Sequence, residues 1–265
     1  MSAAQTWHYG LVARWWAEFN VDGPEIEFFL PYVESGQPAL DAACGTGRLL
    51  IPYLHAGIDI DGTDISADML DLARERAVRE GLAEPDLYVQ AMHELALPRR
   101  YRTVLVCGGF GIGGQRAHDV EGLRRIYAHL EPGGTLLLDN EVPYAGGDWP
   151  YWRRNERQAL PRPWRDRGDR KTMADGSDLE LRSRLVDVDP LAQRVTMDMQ
   201  ARHWRGDELL AEEESSIVMT VYFTNEVLLM LEAAGFVDVE LRAGYEDRTP
   251  TTEDDFVVFV ARKPS

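Results

Sequence analysis

Leu40-Asp41-Ala42-Ala43-Cys44-Gly45-Thr46-Gly47-Arg48 decides how this chain is read. Pro38-Ala39-Leu40 before and within it is a short apolar run of the kind that forms a buried strand. Leu49, Leu50, Tyr53 and Leu54 after it fall at helical spacing. The glycines therefore occupy a strand-to-helix turn, where a missing side chain lets the chain bend sharply and a ligand approach the backbone. A dinucleotide fingerprint needs a third glycine three residues beyond Gly47, and Leu50 stands there. A Walker-type phosphate loop needs Lys followed by Ser or Thr, and this turn has neither. The turn suits a nucleoside ligand that lacks a pyrophosphate.

A second signal follows. Ile58-Asp59-Ile60-Asp61-Gly62-Thr63-Asp64 reads as a strand ending in an acid, and Ser66 as the N-cap of a helix carrying Met69, Leu70, Ala73 and Ala77, closed by Gly81. An acid that ends the second strand of a nucleotide-binding sheet can accept hydrogen bonds from both ribose hydroxyls. An isolated aspartate is more often a solvated turn residue; its distance from the glycine turn favours the ribose role for Asp64.

Together these residues resemble the class I S-adenosylmethionine-dependent methyltransferases, in particular those acting on small molecules. Leu40 to Gly47 is similar to their first motif and Gly62-Thr63-Asp64-Ile65-Ser66 to their second. Leu130-Glu131-Pro132-Gly133-Gly134-Thr135 with Leu136-Leu137-Leu138 is similar to the turn and fifth strand. The resemblance covers most of the chain outside about Tyr144 to Phe223 and is silent on the methyl acceptor. It implies S-adenosyl-L-methionine as cofactor, held in the first turn by Asp41, Ala43, Cys44, Gly45, Gly47 and Arg48. It further implies Asp64, Ile65 and Met69 after the second strand, Ala91 and Met92 after the third, and Cys107 after the fourth. In many similar enzymes an N-terminal helix brings an aromatic residue over the cofactor, a role Tyr9 or Trp16 would fill; plain packing of an amphipathic helix is the competing reading.

Two positions depart from the family pattern. Ala43 replaces the first glycine of the motif, so the backbone there has to accommodate a methyl group. Val89-Gln90-Ala91-Met92 supplies no acid for the adenine amino group. Backbone groups, apolar contact with Met69 or Met92, or Glu94 from a shifted loop are the alternatives.

The remaining pattern is α/β. Leu87-Tyr88-Val89 and Thr103-Val104-Leu105-Val106 read as third and fourth strands, and Leu123, Ile126, Tyr127 and Leu130 as a helix before the Pro132-Gly133-Gly134 turn. Glu226 to Ala234 is a helix ended by Gly235, and Val237 to Leu241 and Phe256 to Val260 are closing strands. This alternation implies a mostly parallel, Rossmann-like sheet of seven strands; the resemblance makes the last strand antiparallel. Leu179 to Asp187, Gln193 to Trp204 and Leu209 to Val221 alternate instead with period two, with turn residues at Asp189-Pro190 and Arg205-Gly206-Asp207. They predict an inserted three-stranded antiparallel lid over 144–222, within one domain of 1–265. Val195, Met197 and Met199 would turn an apolar face to the site while Asp198 and Gln200 face water.

Composition narrows function. A chain of 265 residues with a net charge of −17 lacks the basic surface that nucleic acid requires. No apolar run is long enough to span a membrane, and an N-terminus carrying Arg14 and Glu18 is unlike a signal peptide, so a cytoplasmic protein without a membrane partner is expected, as monomer or homodimer. Two cysteines, Cys44 and Cys107, cannot ligate an iron–sulfur cluster, which removes radical chemistry; they read as buried reduced thiols. Six histidines without metal-type spacing give no metal site.

Ligands of such sheets sit at the carboxyl ends of the strands. There Glu141 is the candidate acid or base, and equally a carboxylate that only orients the acceptor. Phe110, Glu141, Tyr144, Trp152 and Trp164 are candidate acceptor contacts. His93 and His118 read as surface residues. The stretch from Trp149 to Lys171 gathers seven arginines and a lysine among tryptophans and a tyrosine. It reads either as a lid whose aromatics wall the acceptor and whose arginines hold an acceptor carboxylate or phosphate, or as a solvated loop or oligomer contact. The leading function is methyl transfer to an N or O atom of a small organic molecule. A non-catalytic S-adenosylmethionine-binding protein and a nicotinamide-dependent oxidoreductase are the alternatives.

Overall fold

In the computed structural model, which describes residues 6–145 and 147–265, two helices, α1 (Gly10–Phe19) and α2 (Pro24–Ser35), precede the glycine turn. Strands and helices then alternate: β1 (Ala39–Ala42), α3 (Leu50–His55), β2 (Ile60–Asp64), α4 (Ala67–Arg79), β3 (Leu87–Val89), β4 (Tyr101–Val106), α5 (Arg116–His129) and β5 (Leu130–Glu141). After an inserted segment come α7 (Thr224–Ala234), β10 (Val237–Ala243) and β11 (Phe256–Arg262), the insertion itself holding a short α6 (Arg154–Arg157). The strands form one sheet in the order β10-β11-β5-β4-β1-β2-β3. β11 pairs antiparallel with both β5 and β10, while β1 to β5 are parallel. The fold is α/β and Rossmann-like.

Parallel strands covered on both faces must be apolar on both. Leu40, Val104, Leu136 and Phe259 meet Leu123, Ile126, Val227 and Leu231 of α5 and α7 on one face. Ala39, Leu105, Leu137 and Val258 meet Phe29, Val33, Leu50 and Tyr53 of α2 and α3 on the other. The chain order reverses between β1 and β4, which leaves a crevice beyond their carboxyl ends. Pro132-Gly133-Gly134, expected as a turn before the fifth strand, lies inside β5. The register slips there from Tyr101↔Leu130 to Thr103↔Thr135, and the surplus residues bulge, with Gly133 at φ +71°.

The inserted sheet has four strands, not three: β6 (Asp169–Thr172), β7 (Asp178–Asp189), β8 (Arg194–Arg205) and β9 (Glu208–Thr220), in that order and antiparallel. β6 comes from the arginine-rich stretch. Asp169-Arg170-Lys171-Thr172 is a mostly exposed edge, so it has no apolar alternation to betray it. A second expectation also fails. Asp198 and Gln200 are buried rather than facing water, because the neighbouring strand supplies their partners. Arg184 Nε donates to Asp198 Oδ2 (2.8 Å) and Arg182 Nε to Gln200 Oε1 (2.7 Å). The indole of Trp164 stacks on both guanidinium groups, at 5.0 Å from Arg182 and 4.6 Å from Arg184.

The opposite face of this sheet is apolar and divided. Leu179, Leu181, Met199 and Ala201 pack under Leu11, Val12, Trp15 and Trp16 of the N-terminal helix. Leu185, Val188 and Val195 pack with Trp152, Met197 and Met219. Helix α1 is fastened at its start, where backbone N–H groups lack intrahelical partners. Gly10 N–H donates to Asp68 Oδ2 and Leu11 N–H to Glu213 Oε2, both at 2.8 Å. Each carboxylate also lies at the positive end of the helix dipole. Among the described residues no helix is long and apolar enough to cross a membrane.

Ser66 ties these parts together. Its hydroxyl accepts from Met69 N–H (3.2 Å), capping α4 as its sequence position predicts, and donates to His8 O (2.5 Å). Ser66→Ala should cost about 1 kcal/mol of stability in urea unfolding. An unchanged midpoint would contradict the capping role.

Candidate active site

A cavity of about 600 Å³ opens at the carboxyl ends of β1, β2, β4 and β5. On its inner side three carboxylates converge. Asp41, at the end of β1, is buried, lines the cavity, and has its carboxyl pushed up to about 7 by burial and then by the charges of Asp64 and Asp139. Asp64 is held by two backbone donors, Gly45 N–H to Oδ2 (3.0 Å) and Ser66 N–H to Oδ1 (2.8 Å). Burial raises its pKa and those amides oppose the rise. Asp139 accepts from Gly108 N–H (2.7 Å) and from the Tyr245 hydroxyl (2.7 Å), and burial raises it as well.

Against these acids the cavity sets a single lysine or arginine among its described lining residues, Arg48. That guanidinium is already paired with the buried Glu25 of α2, and its Nη2 lies 3.6 Å from Cys107 Sγ. An acid-lined space of this kind favours a cationic ligand.

The first turn accommodates Ala43 at the expense of a neighbour. Ala43 takes a left-handed conformation, φ +69°, which costs a residue with a side chain roughly 1–2 kcal/mol. A Cβ placed on Gly109 would come within 2.6 Å of the Ala43 Cβ. The glycine missing from position 43 is in effect matched by one at 109. Ile65, Met69, Ala91 and Met92 make one flank of the cavity apolar. Glu94 is exposed and does not line it, and the Gln90 Oε1 is occupied by Ala96 N–H (2.8 Å), so no side-chain acid faces this flank.

The N-terminal segment closes the cavity with Thr6, Trp7, His8 and Trp16. The His8 imidazole stands edge-on to Trp16 at 4.9 Å, and burial lowers its pKa to about 4, which keeps it neutral. On the outer side Phe110, Trp152, Met197, Met219 and Val221 form an apolar wall drawn from the β4–α5 loop and the inserted segment. Asp119, Glu141 and Asp148 stand among them. Asp119 accepts from the Tyr222 hydroxyl (2.6 Å) and is pushed up to about 6 by burial; Glu141 is raised by burial, then by Asp255 and Asp148. The end of β5 is tied to the returning chain by Asn140 Nδ2–H to Tyr222 O (3.0 Å).

Most sequence candidates therefore gather around one space: Asp41, Ala43, Cys44, Gly45, Arg48, Asp64, Ile65, Met69, Ala91, Met92, Cys107 and Trp16, with Phe110, Glu141 and Trp152 on the outer side. Four do not line it. Gly47 turns toward Ile51 and Ala73, where a Cβ would have to fit between α3 and α4. Tyr9 sits just before α1 and is 43% exposed. Tyr144 is 48% exposed, edge-on to Trp149, and Trp164 is committed to its two arginines.

The arginines of 149–171 also stay out of this cavity. His93 and His118, read as surface residues, instead line it as a parallel stack with ring centroids 3.8 Å apart; burial and then His118 lower the His93 pKa. Nothing local in the sequence signals that pairing, because the turn after β3 and the start of α5 meet only in the fold.

Residues 39–134 match a family model described as a methyltransferase domain. The ubiquinone/menaquinone biosynthesis C-methyltransferase of Methylococcus capsulatus is 33% identical over 131 residues, which are 48% of this chain and 49% of that protein. Residues 39–134 are thus similar to a methyltransferase domain, and the matches support the class I S-adenosylmethionine-dependent kind. The chain spans about half the length of the curated relatives it matches first. Three solved structures share the fold at low identity. The CcbJ methyltransferase of Streptomyces caelestis has a TM-score of 0.75 at 21% identity, over 99% of this chain and 100% of that one. A sugar N-methyltransferase from Streptoalloteichus has 0.69 at 20%, over 100% and 99%. An amino pentose methyltransferase from Micromonospora echinaspora, solved with S-adenosylmethionine bound, has 0.60 at 20%, over 90% and 88%.

The residues of this domain fit that cofactor. Asp41 lies buried where a cationic amino group can neutralise it, Asp64 is fixed with lone pairs to spare, and an apolar flank replaces the missing adenine-side acid. Asp64→Ala should weaken S-adenosylhomocysteine binding by about 1.5–3 kcal/mol, the range for hydrogen bonds to a charged group, in isothermal calorimetry. Full affinity in a folded variant would remove Asp64 from the site.

Proposed function

We propose that the chain transfers a methyl group from S-adenosylmethionine to an amine nitrogen of a small organic molecule. The observation that carries this reading is the outer half of the cavity, where Asp119, Glu141 and Asp148 stand beside an apolar wall with no lysine or arginine among the lining residues there. Such a surface attracts an organic ammonium and repels a carboxylate or phosphate at the reaction centre. The cofactor, when bound, supplies a methyl sulfonium that needs an in-line nucleophile and little else. The chain's own residues then have three tasks.

The first is to hold the cofactor, with Asp64 accepting from the ribose hydroxyls and Asp41 from the amino group. The second is to take a proton from the incoming ammonium, since only the free lone pair can attack. Glu141 is our candidate, and the His93–His118 stack lines the same cavity. The third is to keep water out. For this we assign the inserted segment 144–222 as a roof: Val195, Met197, Met219 and Trp152 bring its apolar face onto the cavity.

Two of the structural neighbours are named for nitrogen or amino-sugar methylation, which agrees with this reading. The relative named for C-methylation aligns with 48% of this chain, too little to carry its acceptor across. Incubation with labelled S-adenosylmethionine and a panel of amines, alcohols and activated carbon acids should give methylated amines. Glu141→Gln should lower turnover about 100-fold with little change in cofactor affinity. Labelled alcohols without labelled amines would contradict the nitrogen assignment, and no product from any acceptor would leave a binding protein.

A pH dependence follows from Asp41. Its folded pKa is raised from 3.8 to about 7, so its contribution to stability is present at low pH and lost as pH rises through about 7. A bound cation stabilises the ionised form and cancels that loss. The rise in Tm on saturation with S-adenosylmethionine should therefore grow between about pH 5.5 and pH 7.5. A shift that shrinks over this range would contradict a cationic group on Asp41.

A further inference from the structure

The arginines of the inserted segment do not reach the main cavity, but they do gather elsewhere. A second, smaller cavity of about 150 Å³ lies beside the first and shares Asp148 and Met197 with it. Arg162, Arg165 and Arg184 line this annex, with Ser183 and Leu185. It forms because β6 pairs only with Leu181 and the residues before it on β7, so the outer edge of β7 beyond that point is free. The chain around Arg162 covers this edge instead: Arg162 N–H donates to Leu185 O (2.8 Å), and Arg182 Nη1 donates to Arg165 O (2.7 Å).

We propose that the annex is a subsite for an anionic group of the methyl acceptor, a carboxylate or a phosphate. Three guanidinium groups around one concavity repel one another, and the acids nearby pair closely with only one of them. Arg184 is satisfied by Asp198. Arg162 meets Asp148 only at 3.5 Å, longer than the 2.7–2.9 Å of a charge-assisted hydrogen bond. Arg165 has no carboxylate within 4.0 Å among the described residues. A volume of about 150 Å³ holds a phosphate or carboxylate with accompanying water, each water taking about 30 Å³.

Two of the guanidinium groups are pre-oriented. Arg184 lies 4.6 Å over the Trp164 ring and Arg162 5.6 Å over that of Tyr151, so part of the ordering cost is met before a ligand arrives. Asp148 stands at the junction of the two cavities. The acceptor then carries opposite charges at its two ends: an amine toward Glu141 and Asp119, an anion toward Arg162 and Arg165. This accounts for a cationic cluster in a protein of net charge −17 and for its place next to Trp152 and Met197.

The inference deepens the amine-methyltransferase reading and rests on it for the word acceptor. Its test does not need the acceptor. Inorganic phosphate and acetate are titrated separately into the full chain, alone and with S-adenosylhomocysteine present, and binding is read by calorimetry and by chemical shifts. At least one anion should bind saturably in the millimolar range, and the stronger of the two names the group as phosphate or carboxylate. Arg165→Gln and Arg162→Gln should each weaken that binding about tenfold, with S-adenosylhomocysteine affinity unchanged. Arg165 is exposed, so its variant keeps the fold; Arg184 is left intact because Asp198 is buried against it. Saturable S-adenosylhomocysteine binding without saturable anion binding, or anion binding untouched by both variants, would overturn the subsite and leave the methyltransferase reading standing. Anion binding without S-adenosylhomocysteine binding would overturn that reading instead.

Discussion

Three carboxylates at the ends of β1, β2 and β5, two of them buried, set the terms for the rest of this structure. Burial raises the cost of ionising Asp41, Asp64 and Asp139, and at Asp41 the charges of Asp64 and Asp139 raise it further. Backbone amides and a tyrosine hydroxyl hold two of them in place. At Asp41 the two neighbouring charges add to burial, and the N-terminal segment lines the space before it. A buried charge of this kind is tolerated when a ligand of opposite sign completes it. The cofactor site is thus less a shape cut for a nucleoside than an unbalanced charge waiting for a cation.

The two sheets divide the work that follows. The parallel sheet, rigid and apolar on both faces, fixes the acids at the crevice where the strand order reverses. The antiparallel sheet carries a different face to each surface. Its inner face supplies Val195, Met197 and Met219 to the cavity and a bed for α1; its outer face is a layer of arginine–acid pairs capped by Trp164. Helix α1 bridges the two, because its first amides are bonded to Asp68 on α4 and to Glu213 on β9.

Sequence alone carried the parallel half because its signals are local. A glycine turn after an apolar run, an acid at the end of the next strand and a serine cap each fall within a few residues, and all three fold as their spacing dictates. What it missed was made by contacts between distant segments. Asp198 and Gln200 alternate like solvent-facing residues until Arg184 and Arg182 arrive from the adjacent strand. Trp164 looks like a pocket wall until those arginines claim its ring. β6 has no apolar period because its role is to form an edge. The departure at Ala43 was visible, but its counterpart was not: only the fold brings Gly109 against that methyl group. His93 and His118 are the same case, residues from a short turn and from the start of α5 that stack at 3.8 Å.

The cofactor's charge and its ribose should each be met by one of these acids. A crystal structure of the chain with S-adenosylhomocysteine tests this most directly. The ribose hydroxyls should lie within hydrogen-bond distance of Asp64, the ligand's ammonium should face Asp41, and the adenine should pack between Ile65, Met69 and Met92. A ligand whose ribose avoids Asp64 and whose ammonium leaves Asp41 unpaired would contradict the central claim.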